Sequence, residues 1–171
     1  MEKNLSPRIY IACLASYNNG ILHGAWADPT LGIQALHDAL TEILSTSSMK
    51  DAEEWAIHDY EGFGGVPISE YESLDHVADL AEFIEQYGML GAALLSDHYD
   101  LENAKRAINE NYAGSFESVA DFAQELTEDS IDIPERLRFY IDYDAMARDM
   151  LVNDILAIEL SYRDVHVFWQ H

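Results

Sequence analysis

Residues 8–29 read RIYIACLASYNNGILHGAWADP, and this stretch contains the first strong fold signals of the chain. The apolar, β-branched run from Arg8 to Tyr17 predicts a β-strand. Asn18-Asn19-Gly20 contains an Asn-Gly pair, a strong hairpin signal, so Ile21 to Ala27 is expected to return as a second strand. The Asp-Pro pair that follows predicts a helix start, because aspartate is a favoured N-cap and proline suits the first helical position.

A helix and a third strand are expected to complete a small unit around this hairpin. Between residues 33 and 44, apolar side chains recur at the spacing of one helix face. The run from Glu54 to Tyr60 predicts the third strand. A Gly-Phe-Gly-Gly sequence at 62–65, followed by Pro67, predicts the end of the unit.

The rest of the chain predicts helices first and then mixed structure. Predicted helices cover Ser73–Tyr87 (ended by Gly88), Met89–Leu95, Leu101–Ile108, Ser115–Leu126, Pro134–Ile141 and Met146–Leu151. Two closing strands are expected at Ile155–Leu160 and Val165–Trp169. The fold class is therefore α+β in three small units: an N-terminal three-stranded sheet with one helix (1–61), a central acidic helical unit (62–110) and a C-terminal α+β unit (111–171).

Net charge is the most unusual property of the chain. Its 171 residues include 32 Asp and Glu against 9 Lys and Arg, a formal net charge of -23, while 49% of the residues are hydrophobic and can form a core. Repulsion at that excess opposes compaction, so the acidic surface is expected to bind a basic partner. Direct binding to nucleic acid is disfavoured, because its backbone carries the same sign.

The carboxylates are also dense and periodic. No Lys or Arg occurs from Asp51 to Ala104, and acids recur at helical spacing from Asp75 and from Glu117. Four helical residues rise about 6 Å, so a carboxylate row can approximate a row of phosphates, which advance about 3.4 Å per nucleotide. A single stripe could be only a solvated helix face; two stripes beside a base-free segment favour a functional surface. The predicted target-binding surface comprises Asp59, Glu61, Glu70, Glu72, Asp75, Asp79, Glu82, Glu85, Asp97, Asp100, Glu102, Glu117, Asp121, Glu125 and Glu128.

Sequence patterns of common catalytic and cofactor sites are absent. There is no GxGxxG, GxxxxGK[ST] or HExxH, and the seven histidines form no ligand-spaced pair. Cys13, the only cysteine, is expected to be a buried small hydrophobe. We predict a non-enzyme without cofactor or metal, although weak cation binding at 97–102 and a chance carboxylate pair stay as alternatives. The lone cysteine and the lack of a long apolar run predict a cytoplasmic protein that does not contact membranes.

Several segments in order resemble the ArdA antirestriction proteins of conjugative plasmids and transposons. These segments are Arg8–Ile11, Tyr17–Gly24, Trp26, Glu54–Phe63, Gly91–Ala93, Tyr112–Phe116, Ile141–Tyr143, Met146–Asp149 and Val165–Trp169. The resemblance implies an elongated homodimer, joined through the C-terminal unit after about Tyr112. It also implies a mimic of bent B-form DNA that occupies the DNA-binding groove in the methyltransferase core of type I restriction-modification enzymes. Such a mimic would block DNA binding and cleavage, and the block could extend to methylation.

Two other functions remain open from the residues alone. An acidic regulator could bind another basic protein, such as a polymerase or a repressor, without imitating duplex DNA. An enzyme could use a pair of carboxylates, in which case one or two substitutions should abolish its activity. Competition with duplex DNA of no particular sequence distinguishes the mimic from the regulator, because only the mimic has to displace such DNA.

Overall fold

The computed structural model describes residues 5–97 and 99–170. The chain folds into two compact units, Met1–His98 and Tyr99–His171. Each unit contains one three-stranded antiparallel sheet with helices, which confirms the α+β fold class. The three-unit division at 61/62 and 110/111 stays a prediction. The two compact units divide the sequence at 98/99.

The sheet of the N-terminal unit consists of β1 (Arg8–Cys13), β2 (Gly24–Ala27) and β3 (Trp55–Glu61) in the order β2-β1-β3. Both pairings are antiparallel, and a register shift after Tyr10 separates two parts of the β1–β3 ladder. Side chains alternate between the faces of a strand, so Ile9 and Ile11 point together into the core and are fully buried. The three predicted strands of this unit are therefore confirmed.

The predicted extent of the first two strands was wrong. β1 ends at Cys13, and α1 (Leu14–Tyr17) forms one helical turn in which the Asn18 N–H donates to the Leu14 carbonyl at 2.9 Å. The buried Ser16 hydroxyl lies 2.8 Å from that of Ser47, which holds this turn against a distant loop. A tertiary contact thus replaces the tight hairpin, and the Asn-Gly pair ends a helical turn instead.

The first long helix covers one face of this sheet. α2 (Ile33–Ser45) packs against β1 and β2 through the buried Leu36 and Ile43. The helix was predicted to start at Asp28, which is too early, because α2 begins at Ile33. Asp28 instead accepts a hydrogen bond of 2.9 Å from the Thr30 N–H and caps a short 3-10 turn, after which the chain reorients at Gly32.

A second long helical segment, α3 (Leu74–Asp97), packs against α2 and the 3-10 turn. Gly88 interrupts it with φ 57° and ψ -139°. A positive φ is accessible to glycine at little cost, which confirms Gly88 as the end of the first predicted helix. Residues 89–97 then form the second predicted helix, in which Ala92 and Leu94 are fully buried.

The C-terminal unit combines a second sheet with three helices. Its helices are α4 (Leu101–Arg106), which continues as a π-helical turn over Ala107–Asn111, α5 (Val119–Ser130) and α6 (Tyr143–Asn153). Its strands are β4 (Tyr112–Phe116), β5 (Ile155–Ser161) and β6 (Asp164–Trp169), in the order β4-β6-β5. The core consists of Phe122, Ala123, Met150, Ile155, Val165 and Val167. The helix around Met146 and the two closing strands are confirmed.

Two predictions in this unit were wrong. The helix expected to open near Ser115 begins after Ser118, because residues 112–116 pair with β6 as a strand. Pro134 precedes a 3-10 turn, Glu135–Tyr140, rather than an α-helix with an apolar inner face. Leu137 and Tyr140 in that turn are 46% and 85% exposed. Local periodicity predicts an amphipathic helix, but in the part of the chain that the structure describes no neighbouring element covers these side chains.

Replacing the true cap of α5 should destabilise the protein. The Ser118 Oγ accepts from the Asp121 N–H at 3.1 Å and donates to the Asp121 carboxylate at 2.6 Å. Ser118→Ala removes both bonds and is expected to lower the free energy of unfolding by about 1 kcal/mol. Urea denaturation measures this change. Ser115→Ala, in the exposed part of β4, is the control and should change stability by less than about 0.5 kcal/mol; an equal loss in both variants would refute the capping role.

Candidate acidic interaction surface

Nearly all of the predicted acidic residues reach solvent. Thirteen of the fifteen are exposed and Glu72 is half-buried. Asp97 lies in α3, but its side chain is outside the described residues. Among the side chains of residues 5–96 and 99–170, Ser16 is the only buried polar or charged one. The fold therefore places the carboxylates on the surface instead of using them in its core.

The first half of α3 carries the most regular row of carboxylates. This α3 row consists of Asp75, Asp79, Glu82 and Glu85, all exposed. At 100° per residue the four lie within about one third of the helix circumference, opposite the buried Val77 and Ile84. In the described parts of the chain, no Lys, Arg or His lies within ion-pair distance of the row. Its charge is therefore available to a partner.

Three acids of the C-terminal unit meet around a shallow cleft. Glu117, Asp121 and Glu125 line a concave volume of about 450 Å³ together with Arg163 and Asp164. The predicted helical stripe from Glu117 was partly wrong, because Glu117 precedes the cap and belongs to no helix. It pairs with Arg163 on the turn before β6. The helical row on α5 is shorter than predicted and consists of Asp121, Glu125 and Glu128.

The remaining candidates do not form one row. Asp59 and Glu61 lie two residues apart on β3, so they share one face of the sheet. Glu61 pairs with Arg8 at 3.7 Å, and Glu70 lies 3.6 Å from the imidazole of His58. Asp100 and Glu102 lie at the start of α4, where the Asp100 carboxylate accepts the Asn103 N–H at 2.8 Å. Asp100 therefore also serves as a helix cap.

Sequence reasoning missed a second set of exposed carboxylates in the C-terminal unit. They are Glu110, Asp129, Asp132, Glu135, Asp142, Asp144, Asp149, Asp154 and Glu159. These acids lie in turns, on several different helices and on a strand, so no single period connects them. Their number was visible in the sequence, but their exposure depends on how the unit packs.

A hydrogen-bonded chain of side chains borders the acidic cleft. The Tyr112 hydroxyl lies 2.8 Å from His166 Nδ1, and His166 Nε2 lies 3.1 Å from the Asp164 carboxylate. Burial and the negative charge of Asp164 raise the pKa of the Tyr112 hydroxyl above its usual value. Sequence spacing did not indicate this arrangement, because 54 residues separate Tyr112 from His166. These hydrogen bonds hold the Asp164 carboxylate beside the cleft.

Among the side chains described, those of residues 5–96 and 99–170, no three His, Cys, Asp or Glu are grouped so that they could hold a metal ion. Cys13 is fully buried at the end of β1, as predicted. Over the same residues, no helix combines the length and hydropathy needed to cross a membrane.

The α+β fold and its unpaired carboxylate row define an acidic protein with an exposed negative surface. The family model described as "Antirestriction protein (ArdA)" matches residues 9–164, which is most of the chain. The chain belongs to the ArdA antirestriction family, so the resemblance found in its sequence is confirmed and its function is antirestriction. A search of curated protein sequences finds no match.

Proposed function

We propose that the protein blocks type I restriction-modification enzymes by placing its carboxylate surface in their DNA-binding groove, as a mimic of duplex DNA. The single observation that carries this proposal is the α3 row, which is exposed and has no cationic partner in the described chain. Family membership supports the antirestriction outcome. The α3 row provides the negative charges with which the protein would bind the groove.

The charge spacing of the α3 row suits a groove that binds phosphates. Ten residue steps separate Asp75 from Glu85, which is a rise of about 15 Å along the helix axis. Four carboxylates occupy that length, whereas one DNA strand carries about four to five phosphates over the same axial distance. The linear charge density of the row is therefore close to that of a single DNA strand.

Electrostatic attraction explains why such a surface would inhibit an enzyme that binds DNA. A DNA-binding groove gains much of its affinity from Lys and Arg side chains that neutralise phosphates, and those side chains attract carboxylates equally well. A protein surface does not present base edges, through which sequence is read. The inhibitor is therefore expected to compete at backbone contacts and to act on enzymes with different recognition sequences. Because methylation uses the same bound DNA, we expect it to be inhibited as well.

Self-association through the C-terminal unit completes the proposal. The turn Glu135–Tyr140 exposes two adjacent aromatic side chains, Phe139 at 94% and Tyr140 at 85%. Arg136 and Arg138 precede them in the same turn and form no ion pair within the described residues. Exposed apolar groups favour burial, and the two guanidinium groups offset part of the repulsion between copies of charge -23. We propose this turn as part of a homodimer interface.

A competition titration tests the mimicry. The protein is added to a purified type I restriction-modification enzyme bound to labelled duplex DNA that lacks its recognition site. We expect stoichiometric displacement, weakened about tenfold when the salt concentration is raised threefold, because the attraction is between exposed charges. Failure to displace DNA at low salt, with the protein folded, would overturn DNA mimicry. Binding to the enzyme without displacement would instead support an acidic regulator acting at another surface.

A further inference from the structure

The outer face of the N-terminal sheet gathers aromatic and charged side chains. The strand register pairs Tyr10 with Trp26 on one side and with Asp59 on the other, and it pairs Arg8 with Glu61. Directly paired residues project to the same face of an antiparallel sheet, and residues two apart on a strand do likewise. All five side chains therefore share the face opposite the core.

Within the described residues of the N-terminal unit, no helix covers this outer face. Its opposite side carries the fully buried Ile9 and Ile11, against which α2 packs. On the outer side, Asp59 and Glu61 are exposed, and Trp26 is 38% exposed although it is a large aromatic residue. The face is therefore accessible to a partner.

One guanidinium group already occupies this face. The Arg8 guanidinium carbon lies 5.5 Å from the centroid of the Trp26 ring, and its Nη1 lies 3.7 Å from a Glu61 carboxylate oxygen. The Tyr10 ring meets Trp26 edge-on, with centroids 5.6 Å apart and planes at 66°, and so supports the indole from the side. An aromatic plane beside a carboxylate is an arrangement that binds a guanidinium group.

We propose that this sheet face binds an arginine side chain of the target enzyme, and that Arg8 takes the same position in the free protein. The inference rests on the proposed function, since DNA-binding grooves present arginine to phosphates. Arg8 and Glu61 have side-chain exposures of 49% and 59%, and ion pairs so exposed are weak and exchangeable. Asp59, next to Glu61 on the face, provides a second carboxylate for the incoming group. Arginine is favoured over lysine because its planar group stacks on indole.

Releasing Arg8 should strengthen binding beyond the effect of its charge. Arg8→Gln and Lys50→Gln each remove one exposed positive charge from the N-terminal unit, but Lys50 forms no ion pair in the described chain. In the DNA-displacement titration, Arg8→Gln is expected to bind about threefold more tightly than Lys50→Gln, the ratio expected for one freed cation–π contact. Equal affinities of the two variants would overturn the proposal.

Trp26 provides the second measurement. Trp26→Ala should weaken displacement about threefold, and Trp26→Phe should recover most of the loss because it keeps an aromatic plane. Circular dichroism establishes that each variant is folded. If Trp26→Ala binds like the wild type while neutralisation of the α3 row weakens binding, the sheet-face inference is wrong and DNA mimicry stands. If neutralisation of the α3 row does not change DNA displacement either, the proposed function itself is wrong, and the sheet-face inference that rests on it is wrong with it.

Discussion

Neutralising the α3 row is expected to weaken displacement of non-specific DNA from a type I restriction-modification enzyme about 100-fold. The variant combines Asp75→Asn, Asp79→Asn, Glu82→Gln and Glu85→Gln. Each carboxylate that meets a groove cation contributes up to about 1 kcal/mol at an exposed site, so four together reach the stated factor. A single substitution should change the affinity only a few-fold, since the attraction is distributed.

The fold should survive this change. Like charges three or four residues apart destabilise a helix by about 0.2 to 0.5 kcal/mol per pair, so their removal should leave α3 as stable or slightly more so. The buried face of α3, with Val77 and Ile84, is untouched. Circular dichroism and thermal denaturation would show this directly. Lost inhibition can then be assigned to the surface itself.

A matched control separates the row from total charge. Asp38→Asn, Glu42→Gln, Asp51→Asn and Glu53→Gln also remove four negative charges from exposed positions of the N-terminal unit. These residues lie on α2 and in the loop after it, outside the predicted surface. We expect a loss of less than about tenfold from long-range attraction alone. Equal losses in the two variants would show that net charge, not the row, determines binding.

Replacing the exposed aromatic pair with acids should convert a homodimer into monomers. Phe139→Asp with Tyr140→Asp removes two aromatic anchors and adds two negative charges to each copy. Central aromatic contacts often contribute about 2 kcal/mol or more each to an interface, so the dimer dissociation constant should rise by at least about 100-fold. Analytical ultracentrifugation over a concentration series measures this constant. A wild-type monomer, or a variant that still dimerises, would refute the assigned interface.

The N-terminal unit offers a control with the same chemistry. Leu22 and Leu31 are 84% and 72% exposed, and Leu22→Asp with Leu31→Asp adds the same charge far along the sequence from the turn. We expect this variant to dimerise nearly as well as the wild type. A comparable loss of dimer in the control would indicate general charge repulsion rather than a contact at Phe139 and Tyr140.

Much of the fold was predictable because its signals are local. The helix at Ile33–Ser45, the break at Gly88 and the closing strands follow from apolar spacing and from the positive φ that glycine adopts readily. Two of the wrong predictions share one cause. The turn at Leu14–Tyr17 depends on the Ser16–Ser47 contact, and the strand at Tyr112–Phe116 depends on pairing with β6. Neither partner is near in sequence, so periodicity could not reveal them.

The sequence by itself determined the charge of -23, the acidic rows and their helical period, because composition and spacing are properties of the chain alone. Only the tertiary structure decided which charges stay available. It pairs Glu117 with Arg163 across 46 residues and Glu61 with Arg8, while the α3 row keeps no partner among the described residues. Ion pairs and exposure depend on strand register and packing between distant segments, and these distances are set only when the chain folds.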